Sequence, residues 1–332
     1  MSAVASLRRA VRSLLARPLF FASAVATLAL GVCALTAIFS VYDAVLLRPL
    51  PYADADRLVA VARNQPPVHH SPVSRPVFQE WRDAGSNVFE AFGGYVEQTL
   101  NLTGAGDAER LTTCAATPGF WSVFGHPLAL GHAFGDAEES HHARVAVLSD
   151  ALWRNRFNAA PDIVGRDIVL NGQSYRVTGV TAPSFAFPAE AQVWVPTWLP
   201  DSTSGRGMNY LSMVAKLAPG VTLAGANQGL APIAAWEARQ FPDNHAGLSA
   251  EVRSLQASLT GRIGPPLAML LAASALVLLI ACANLANLML ARGQAREHEY
   301  ALRRALGADR KAVMRTVLAE AAVIAAIGAS FG

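Results

Sequence analysis

The sequence predicts a membrane protein in which transmembrane α-helices flank a mixed α+β extracytoplasmic domain. Three observations lead to this fold class. Two long runs, residues 19–42 and 264–291, contain no charged side chain. A long segment with short strand-like and helix-like patterns separates them, and arginines cluster on the far side of each run. Only 15% of the chain is charged, against about 25% in soluble domains, and the deficit is concentrated in these runs.

The first run is long enough to cross a bilayer. At about 1.5 Å of rise per residue, residues 19–42 exceed the hydrocarbon thickness of about 30 Å. A cleaved signal peptide is the competing interpretation, but its apolar region covers only about 7–15 residues. The sequence therefore favours an uncleaved membrane anchor.

The second run, residues 264–291, is also uncharged, and Asn284 and Asn287 lie near its end. Amide side chains in lipid need hydrogen-bond partners, so these two are expected to face another helix or the interface. A third apolar segment begins near Val317, and the residues that follow it are too few to span a bilayer. The expectation from the sequence is a fragment or a truncated reading frame.

Basic residues set the predicted orientation. Short loops rich in Arg and Lys stay on the cytoplasmic side of a membrane. The leader before the first run and the loop after the second run are both rich in arginine, so both are predicted to be cytoplasmic. Residues 48–262 then lie outside. The basic residues of the leader and of the loop after the second run are Arg8, Arg9, Arg12, Arg17, Arg292, Arg296, Arg303, Arg304, Arg310, Lys311 and Arg315.

The external segment reads as short strands and helices separated by Gly- and Pro-containing loops. Its clearest feature is a β-hairpin, because Asn171-Gly172 between two β-rich runs is typical of a type I′ turn. Ser149 and Thr222 are predicted to begin helices. The predicted strands are 58–61, 145–148, 167–170, 174–180, 193–195 and 211–217, and the predicted helices are 76–83, 151–157 and 222–241.

The sequence contains no recognisable catalytic or cofactor motif. There is no G-x-S-x-G turn, no H-E-x-x-H and no G-x-x-x-x-G-K-[ST] phosphate loop. The adjacent pairs His69-His70 and His141-His142 are better explained as solvated loop residues, since neighbours on a strand point to opposite faces. We therefore expect no enzymatic activity, cofactor or metal site. A net charge of +3 gives no reason to expect nucleic-acid binding.

A stripe of small residues lies along the first run. Ser23, Thr27 and Gly31 recur at i, i+4 and i+8 and would let another helix approach closely. In so alanine-rich a helix the stripe can also arise by chance. It is the predicted helix-packing site.

Five passages of the chain together resemble a known family, the MacB/FtsX-type permeases of ABC transporters. The chain departs from MacB itself in lacking an ATPase domain. The resemblance covers most of residues 1–320. Its passages are Arg48-Pro-Leu-Pro-Tyr52 with Arg57-Leu-Val59; Thr117-Pro-Gly-Phe120 with Gly131 and Phe134; Val147-Leu-Ser149 with Trp153 and Phe157; Ile163-Val-Gly-Arg166 through Val177-Thr-Gly-Val180; and Arg296 through Glu299 to Ala308.

The resemblance implies how the chain is organised. It suggests a multi-pass protein of the bacterial inner (plasma) membrane with a large periplasmic domain. In chain order the predicted parts are a cytoplasmic leader (1–18), a first transmembrane helix (19–42), a MacB-like periplasmic core domain (43–263), a second transmembrane helix (264–291), a cytoplasmic coupling loop (292–316), and the start of a third helix of a truncated FtsX-like domain (317–332).

The resemblance also implies a mechanism and partners. A separate cytoplasmic ATPase would bind the loop after the second helix. Its ATP hydrolysis would move the periplasmic domain and so export a substrate. The chain would act as a homodimer or pair with a second permease half. The same arginines could instead simply hold the loop near anionic lipid headgroups. The residues predicted to couple to the ATPase are Arg296, Glu299, Arg303, Arg304, Leu306 and Gly307.

Two other functions share this layout. Chemoreceptors and sensor kinases also place an external domain between two transmembrane helices, but they continue into long soluble helices, whereas an apolar segment returns here at Val317. A membrane-anchored external enzyme is the second alternative, and the missing catalytic motifs argue against it.

Overall fold

The structure is a computed structural model that describes residues 11–12, 14–15, 18–104, 106–197, 205–261, 263–294 and 310–332. The chain forms two compact units. One contains Met1–Arg48 and Thr260–Gly332, and the other contains Pro49–Leu259. We call the first the helical unit and the second the external unit.

The described elements are numbered in chain order. The helices are α1 Pro18–Tyr42, α2 Arg75–Ala84, α3 Pro118–Val123, α4 Asp136–Ser140, α5 Asp150–Phe157, α6 Leu223–Gln240, α7 Pro242–His245, α8 Leu255–Thr260, α9 Gly264–Gln294 and α10 Arg310–Phe331. The strands are β1 Leu58–Gln65, β2 Val68–Ser71, β3 Phe89–Thr103, β4 Glu109–Ala116, β5 Leu128–Gly131, β6 Val145–Leu148, β7 Asp167–Leu170, β8 Gln173–Thr181, β9 Val193–Pro196, β10 Ser212–Leu217 and β11 Ser249–Ser254.

The helical unit packs α1 against both α9 and α10. Two of its helices are long and apolar enough to cross a membrane, Pro18–Leu47 and Gly264–Ala291, and a shorter apolar helix covers Val317–Phe331. The contact between α1 and α10 is centred on Leu28 and Ile324, and Leu278 of α9 packs beside them. Few large side chains of α1 and α9 are buried, as in helices that meet lipid.

The first of these helices ends in one π-helical turn, Asp43–Leu47. The Arg48 amide donates to the Asp43 carbonyl at 3.0 Å, five residues back, and the two side chains form an ion pair at 3.1 Å. Pro49 and Pro51 follow and cannot continue a helix. The helix therefore stops at the point where the external unit begins.

The external unit is built on one eleven-stranded mixed sheet with the order β11-β1-β10-β3-β4-β9-β6-β8-β5. β2 adds to β1, and β7 joins β3 to β8. Most neighbours are antiparallel, but β4 with β9 and β6 with β8 are parallel. This arrangement confirms the mixed α+β class, because strands and helices do not alternate regularly along the chain.

One long strand, β3, belongs to both halves of this sheet. Its first residues pair with β10, from Phe89 to Tyr95, and its later residues pair with β4, from Tyr95 to Leu102. Its last two residues also pair with β7. At about 3.3 Å per residue the strand runs for roughly 50 Å.

Helices cover the two faces of the first half of the sheet differently. On one face, α2, through Trp81, and α6 pack over odd-numbered residues of β1, such as Val59 and Val61. On the other face, the even-numbered Leu58 joins an aromatic core that includes Phe120 and Trp194. The alternation follows from the two-residue period of a strand. The second half has its own aliphatic core around α5.

The aromatic core requires a very close approach of α3 to β3. A Cβ atom added to Gly93 would lie 2.4 Å from the Phe120 Cα, and one added to Gly119 would lie 2.2 Å from the Phe92 carbonyl oxygen. Both obstacles are backbone atoms, which cannot rotate away. Glycine is therefore needed on each side of this contact.

The local sequence signals are confirmed. Asn171 and Gly172 adopt φ of 48° and 75°, as a type I′ hairpin turn needs. The Ser149 hydroxyl accepts from the Leu152 amide and the Thr222 hydroxyl accepts from the Gly225 amide, so both residues cap helices as predicted. Helix α6 continues through Pro232, as the predicted helix 222–241 requires.

Candidate functional site

The predicted helix-packing residues lie on α1 in different surroundings. The Ser23 and Thr27 side chains are exposed, and their hydroxyls donate to the Phe20 and Ser23 carbonyls of their own helix at 3.0 and 2.8 Å. Gly31 is buried against α9, where an added Cβ would lie 3.1 Å from Leu278 Cδ1. That Ser23 and Thr27 pack against a helix of a second copy stays a prediction.

A second small-residue contact in the helical unit was missed. Gly328 and Gly332 of the α10 segment lie against α1, where Cβ atoms added to them would meet Leu28 Cβ at 2.9 Å and the Ala29 carbonyl oxygen at 2.5 Å. The signal that reveals them is the spacing G-x-x-x-G in an apolar segment, which allows close helix packing. The six residues predicted to couple to an ATPase all lie in 295–309, outside the described residues.

Both ends of the external unit are fixed in its aromatic core. Leu50 and Tyr52, just after the first membrane-length helix, pack into this core, and so does Leu255, just before the second. The Tyr52 ring lies 5.2 Å from the Phe124 ring and 5.7 Å from the Phe185 ring, measured between centroids. We call these five residues the linker anchor.

The ring of Tyr52 is well fixed in the linker anchor. Edge-to-face and tilted aromatic pairs of this kind contribute about 0.5–1.5 kcal/mol each beyond the buried area. Burial raises the pKa of the Tyr52 hydroxyl, and a hydrogen bond with the Ala186 backbone partly offsets that rise. The passage Arg48-Pro-Leu-Pro-Tyr52, noted in the sequence, thus supplies two of the anchoring side chains.

A cluster of ion pairs fixes residues 54–57, which follow Tyr52 in the chain. Lys216 of β10 pairs with Asp54 at 2.7 Å and with Glu90 of β3 at 3.4 Å. Arg57 pairs with Glu90 and donates from Nε to the Leu217 carbonyl at 2.9 Å. The hydrogen bond and charge of Lys216 lower the pKa of Asp54, and Arg57 lowers that of Glu90. The cluster ties residues 54–57 to β3 and β10, next to the linker anchor.

A second charged cluster lies farther from the connections, between α2, α6 and α7. The fully buried Glu237 accepts a hydrogen bond from Trp81 Nε1 at 2.9 Å and from Arg206 at 3.3 Å. Arg206 also pairs with Glu80, and its guanidinium stacks 3.6 Å from the Phe241 ring centroid. Two carboxyl groups therefore share one arginine.

The two carboxyl groups of this cluster have opposite pKa shifts. Burial and the hydrogen bond with Glu80 raise the pKa of Glu237 to about 8. Burial also opposes ionisation of Glu80, but the hydrogen bonds from Arg206 and Glu237 outweigh it and lower the pKa of Glu80. At neutral pH the pair therefore holds one proton, on Glu237.

The raised pKa of Glu237 predicts a loss of stability with rising pH. An unfolded glutamate loses its proton near pH 4.3, whereas the folded state keeps this proton up to about pH 8, so the free energy of unfolding falls between these values. Glu237→Gln imitates the protonated acid and should remove this decline. We expect the variant to match the wild type at pH 5 and to be the more stable protein at pH 9 by up to about 4 kcal/mol, the limit that about 1.4 kcal/mol per pH unit sets between pH 5 and pH 8.

Denaturant unfolding of the full chain in detergent, followed by tryptophan fluorescence, measures this difference. Glu80→Gln is the matched control, because it removes the ionised partner and should destabilise the protein at pH 7. A pH profile of Glu237→Gln parallel to that of the wild type would contradict the assignment of the proton.

Among the described residues, no group of three or more His, Cys, Asp and Glu side chains is placed to hold a metal ion. His70 instead lies 2.9 Å from Glu251 on the β1–β2 side of the sheet. The linker anchor brings residues from both ends of the external unit together in one core.

Comparison with known proteins gives two matches to family models. The model of the MacB-like periplasmic core domain matches residues 21–233, and the model of the FtsX-like permease C-terminal domain matches residues 271–332. The first match alone covers more than half of the 332 residues.

Curated relatives agree with these matches. The macrolide export ATP-binding/permease protein MacB of Burkholderia thailandensis is 28% identical over 220 residues, covering 64% of this chain and 32% of that protein. The MacB of Azoarcus sp. (strain BH72) is 28% identical over 246 residues, covering 71% and 36%. The chain thus spans about a third of the length of these relatives.

Two solved structures have a partial similarity to the chain. The periplasmic region of MacB from Actinobacillus actinomycetemcomitans has a TM-score of 0.47 and 12% identity, covering 63% of this chain and 93% of that one. A domain of a putative permease protein from Porphyromonas gingivalis has a TM-score of 0.48 and 18% identity, covering 61% and 92%.

Proposed function

Because the chain belongs to the family of ABC-type transporter permeases with a MacB-like periplasmic core domain, we propose that it couples ATP hydrolysis by a separate ATPase to movement of its periplasmic domain. It is a membrane protein, and its external unit is that periplasmic domain. The match to an FtsX-like permease domain, which begins within the second helix and continues beyond it, does not favour the alternative of a two-span sensor.

The linker anchor is the observation that carries this proposal. Both polypeptide connections between the periplasmic domain and the membrane-length helices end in one aromatic core, through Tyr52 and Leu255. Protein cores are packed as densely as organic crystals and transmit displacement with little compression. A shift of either helix end would therefore reach the domain as a whole rather than being absorbed by a flexible linker.

An ATPase from another chain would supply the energy. The relatives that the chain matches are described as ATP-binding/permease proteins, and this description supports ATP hydrolysis as the proposed energy source. The segment around Arg303 and Arg304, which resembles the cytoplasmic loop of the family, is the proposed contact. The protein itself would not be an enzyme.

We further propose an inner-membrane, multi-pass protein that acts as a homodimer or with a second permease half. The exposed Ser23 and Thr27 would contribute to that pairing, and the cytoplasmic arginines would lie close to anionic lipid. Since the named relatives are macrolide exporters, export of a substrate from the periplasmic side is the proposed transport activity.

Reversing two charges in the proposed coupling segment tests the ATPase contact. Arg303→Glu with Arg304→Glu should reduce the ATPase that co-purifies with the permease from its native membranes by at least about tenfold, since like charges would replace paired ones. Vanadate-sensitive ATP hydrolysis per mole of permease is the measurement.

The charge-retaining variant Arg303→Lys with Arg304→Lys is the matched control and should keep most of the ATPase. A reporter fused near residue 150 should remain periplasmic in all three proteins. Unchanged co-purification in the Glu variant would remove this coupling assignment.

A further inference from the structure

A cleft in the periplasmic domain has no role in the proposed coupling. It has a volume of about 450 Å³ and lies where helices α2, α3 and α4 meet. Strand β4 pairs with β3 only from Tyr95 onward, so the earlier part of β3, including Phe92, borders this cleft. Clefts between packed substructures are the usual location of small-molecule sites.

Charges of opposite sign line this cleft from two different helices. Arg75 and Arg82 belong to α2, whereas Asp136 and Glu139 belong to α4. The two groups act on each other, because Arg75 and Arg82 oppose the rise in the Glu139 pKa that burial and Asp136 cause. One oxygen of Glu139, Oε1, is buried and accepts no hydrogen bond.

The rest of the lining mixes polar side chains with three aromatic rings. The rings are Phe78, Phe92 and Phe134, and each is largely buried in the folded domain. The cleft thus offers a small apolar surface beside two guanidinium groups and two carboxyl groups. Placed polar groups of this kind fix the orientation of a small ligand.

We propose that this cleft binds a small zwitterion with an apolar body. The ligand carboxylate would lie at Arg75 and Arg82, its ammonium group at Asp136 and Glu139, and its apolar part against Phe92. Guanidinium groups suit carboxylates because they offer paired donors in a plane.

The lining charges of both signs favour a zwitterion over a ligand with a single charge. A simple anion would bring its charge close to two carboxylates, and a simple cation would bring its charge close to two guanidiniums. Either ligand would place a like charge against one pair of lining charges, which disfavours binding. A molecule with both charges satisfies both helices at once.

This inference does not depend on the proposed ATPase coupling. Binding is measured on the full chain in lipid nanodiscs without an ATPase or nucleotide. The probe is the dipeptide Ala-Phe, compared by calorimetric titration with its N-acetyl derivative and with its C-terminal amide. We expect Ala-Phe to bind at least about tenfold more tightly than either derivative.

Two variants assign the ends of the ligand. Glu139→Gln should weaken Ala-Phe about tenfold but leave the N-acetyl derivative unchanged, and Arg82→Gln should weaken Ala-Phe but not the amide. The Arg82 side chain is half exposed, so this variant is expected to fold. Near-ultraviolet circular dichroism checks the fold of both.

Arg166→Gln is the matched control, because Arg166 lies in a different cavity and pairs with Asp162. It should bind all three probes as the wild type does. The proposal is overturned if Ala-Phe does not saturate at millimolar concentration, if the two derivatives bind as tightly as the dipeptide, or if the control loses affinity to the same extent.

Discussion

Gly93→Ala should prevent the periplasmic domain from reaching its native fold. The added methyl carbon would lie 2.4 Å from the Phe120 Cα and 2.5 Å from its amide nitrogen. Since both obstacles are backbone, α3 would have to move away from β3, and with it Phe120, which is fully buried. Overpacking of this kind typically costs about 1–3 kcal/mol, and more where backbone must shift. We expect a loss of at least about 3 kcal/mol.

The yield of folded full-length protein after detergent extraction, and its midpoint of thermal unfolding, measure this effect. Gly205→Ala is the matched control, because no atom lies within 4 Å of the Cβ that it would add. It should behave as the wild type. Wild-type stability of Gly93→Ala would show that α3 does not pack this closely on β3.

Tyr52→Ala should loosen the first connection of the linker anchor. It removes an aromatic ring that touches Phe124 and Phe185 and leaves a gap in the core. Large-to-small changes at buried aromatic positions cost about 3–5 kcal/mol, and a half-buried ring should cost about 2 kcal/mol. Local opening near residues 120–124 and 185–187 should then be about thirtyfold more frequent.

The rate of amide hydrogen exchange, followed by mass spectrometry on the full chain, measures this local opening. Tyr52→Phe keeps the ring contacts and should exchange within a few-fold of the wild type. If Tyr52→Ala exchanges as slowly as Tyr52→Phe, the ring does not anchor the connection. In a complex with the partner ATPase, the proposed function adds that ATP changes exchange at residues 120–124 in the wild type but not in Tyr52→Ala.

Much of the fold could be predicted because local signals and hydrophobic runs agree. The hairpin turn needs positive φ at Asn171 and Gly172, which those residues adopt readily, and Ser149 and Thr222 can cap a helix whatever surrounds them. The uncharged runs fix the two membrane-length helices by composition alone.

The linker anchor was not predictable in the same way. Tyr52, Leu255 and Phe185 are far apart in the sequence, and nothing in their local patterns indicates that they meet. The raised pKa of Glu237 could not be predicted for a similar reason. It depends on burial and on Glu80, which is distant along the chain. The family resemblance pointed to the passage Arg48 to Tyr52 but not to its contacts.

The path of β3 limits how the periplasmic domain can deform. Because this strand hydrogen-bonds to β10 in one half and to β4 and β7 in the other, the halves cannot slide apart without breaking its ladder. Sheets accommodate changes of twist more readily than loss of pairing. Torsion about the axis of β3 is therefore the deformation that costs least. Such a rotation leaves Phe89 and Thr103 in place, because both lie on the axis, and displaces most the strands at the two ends of the sheet order, β11 and β5.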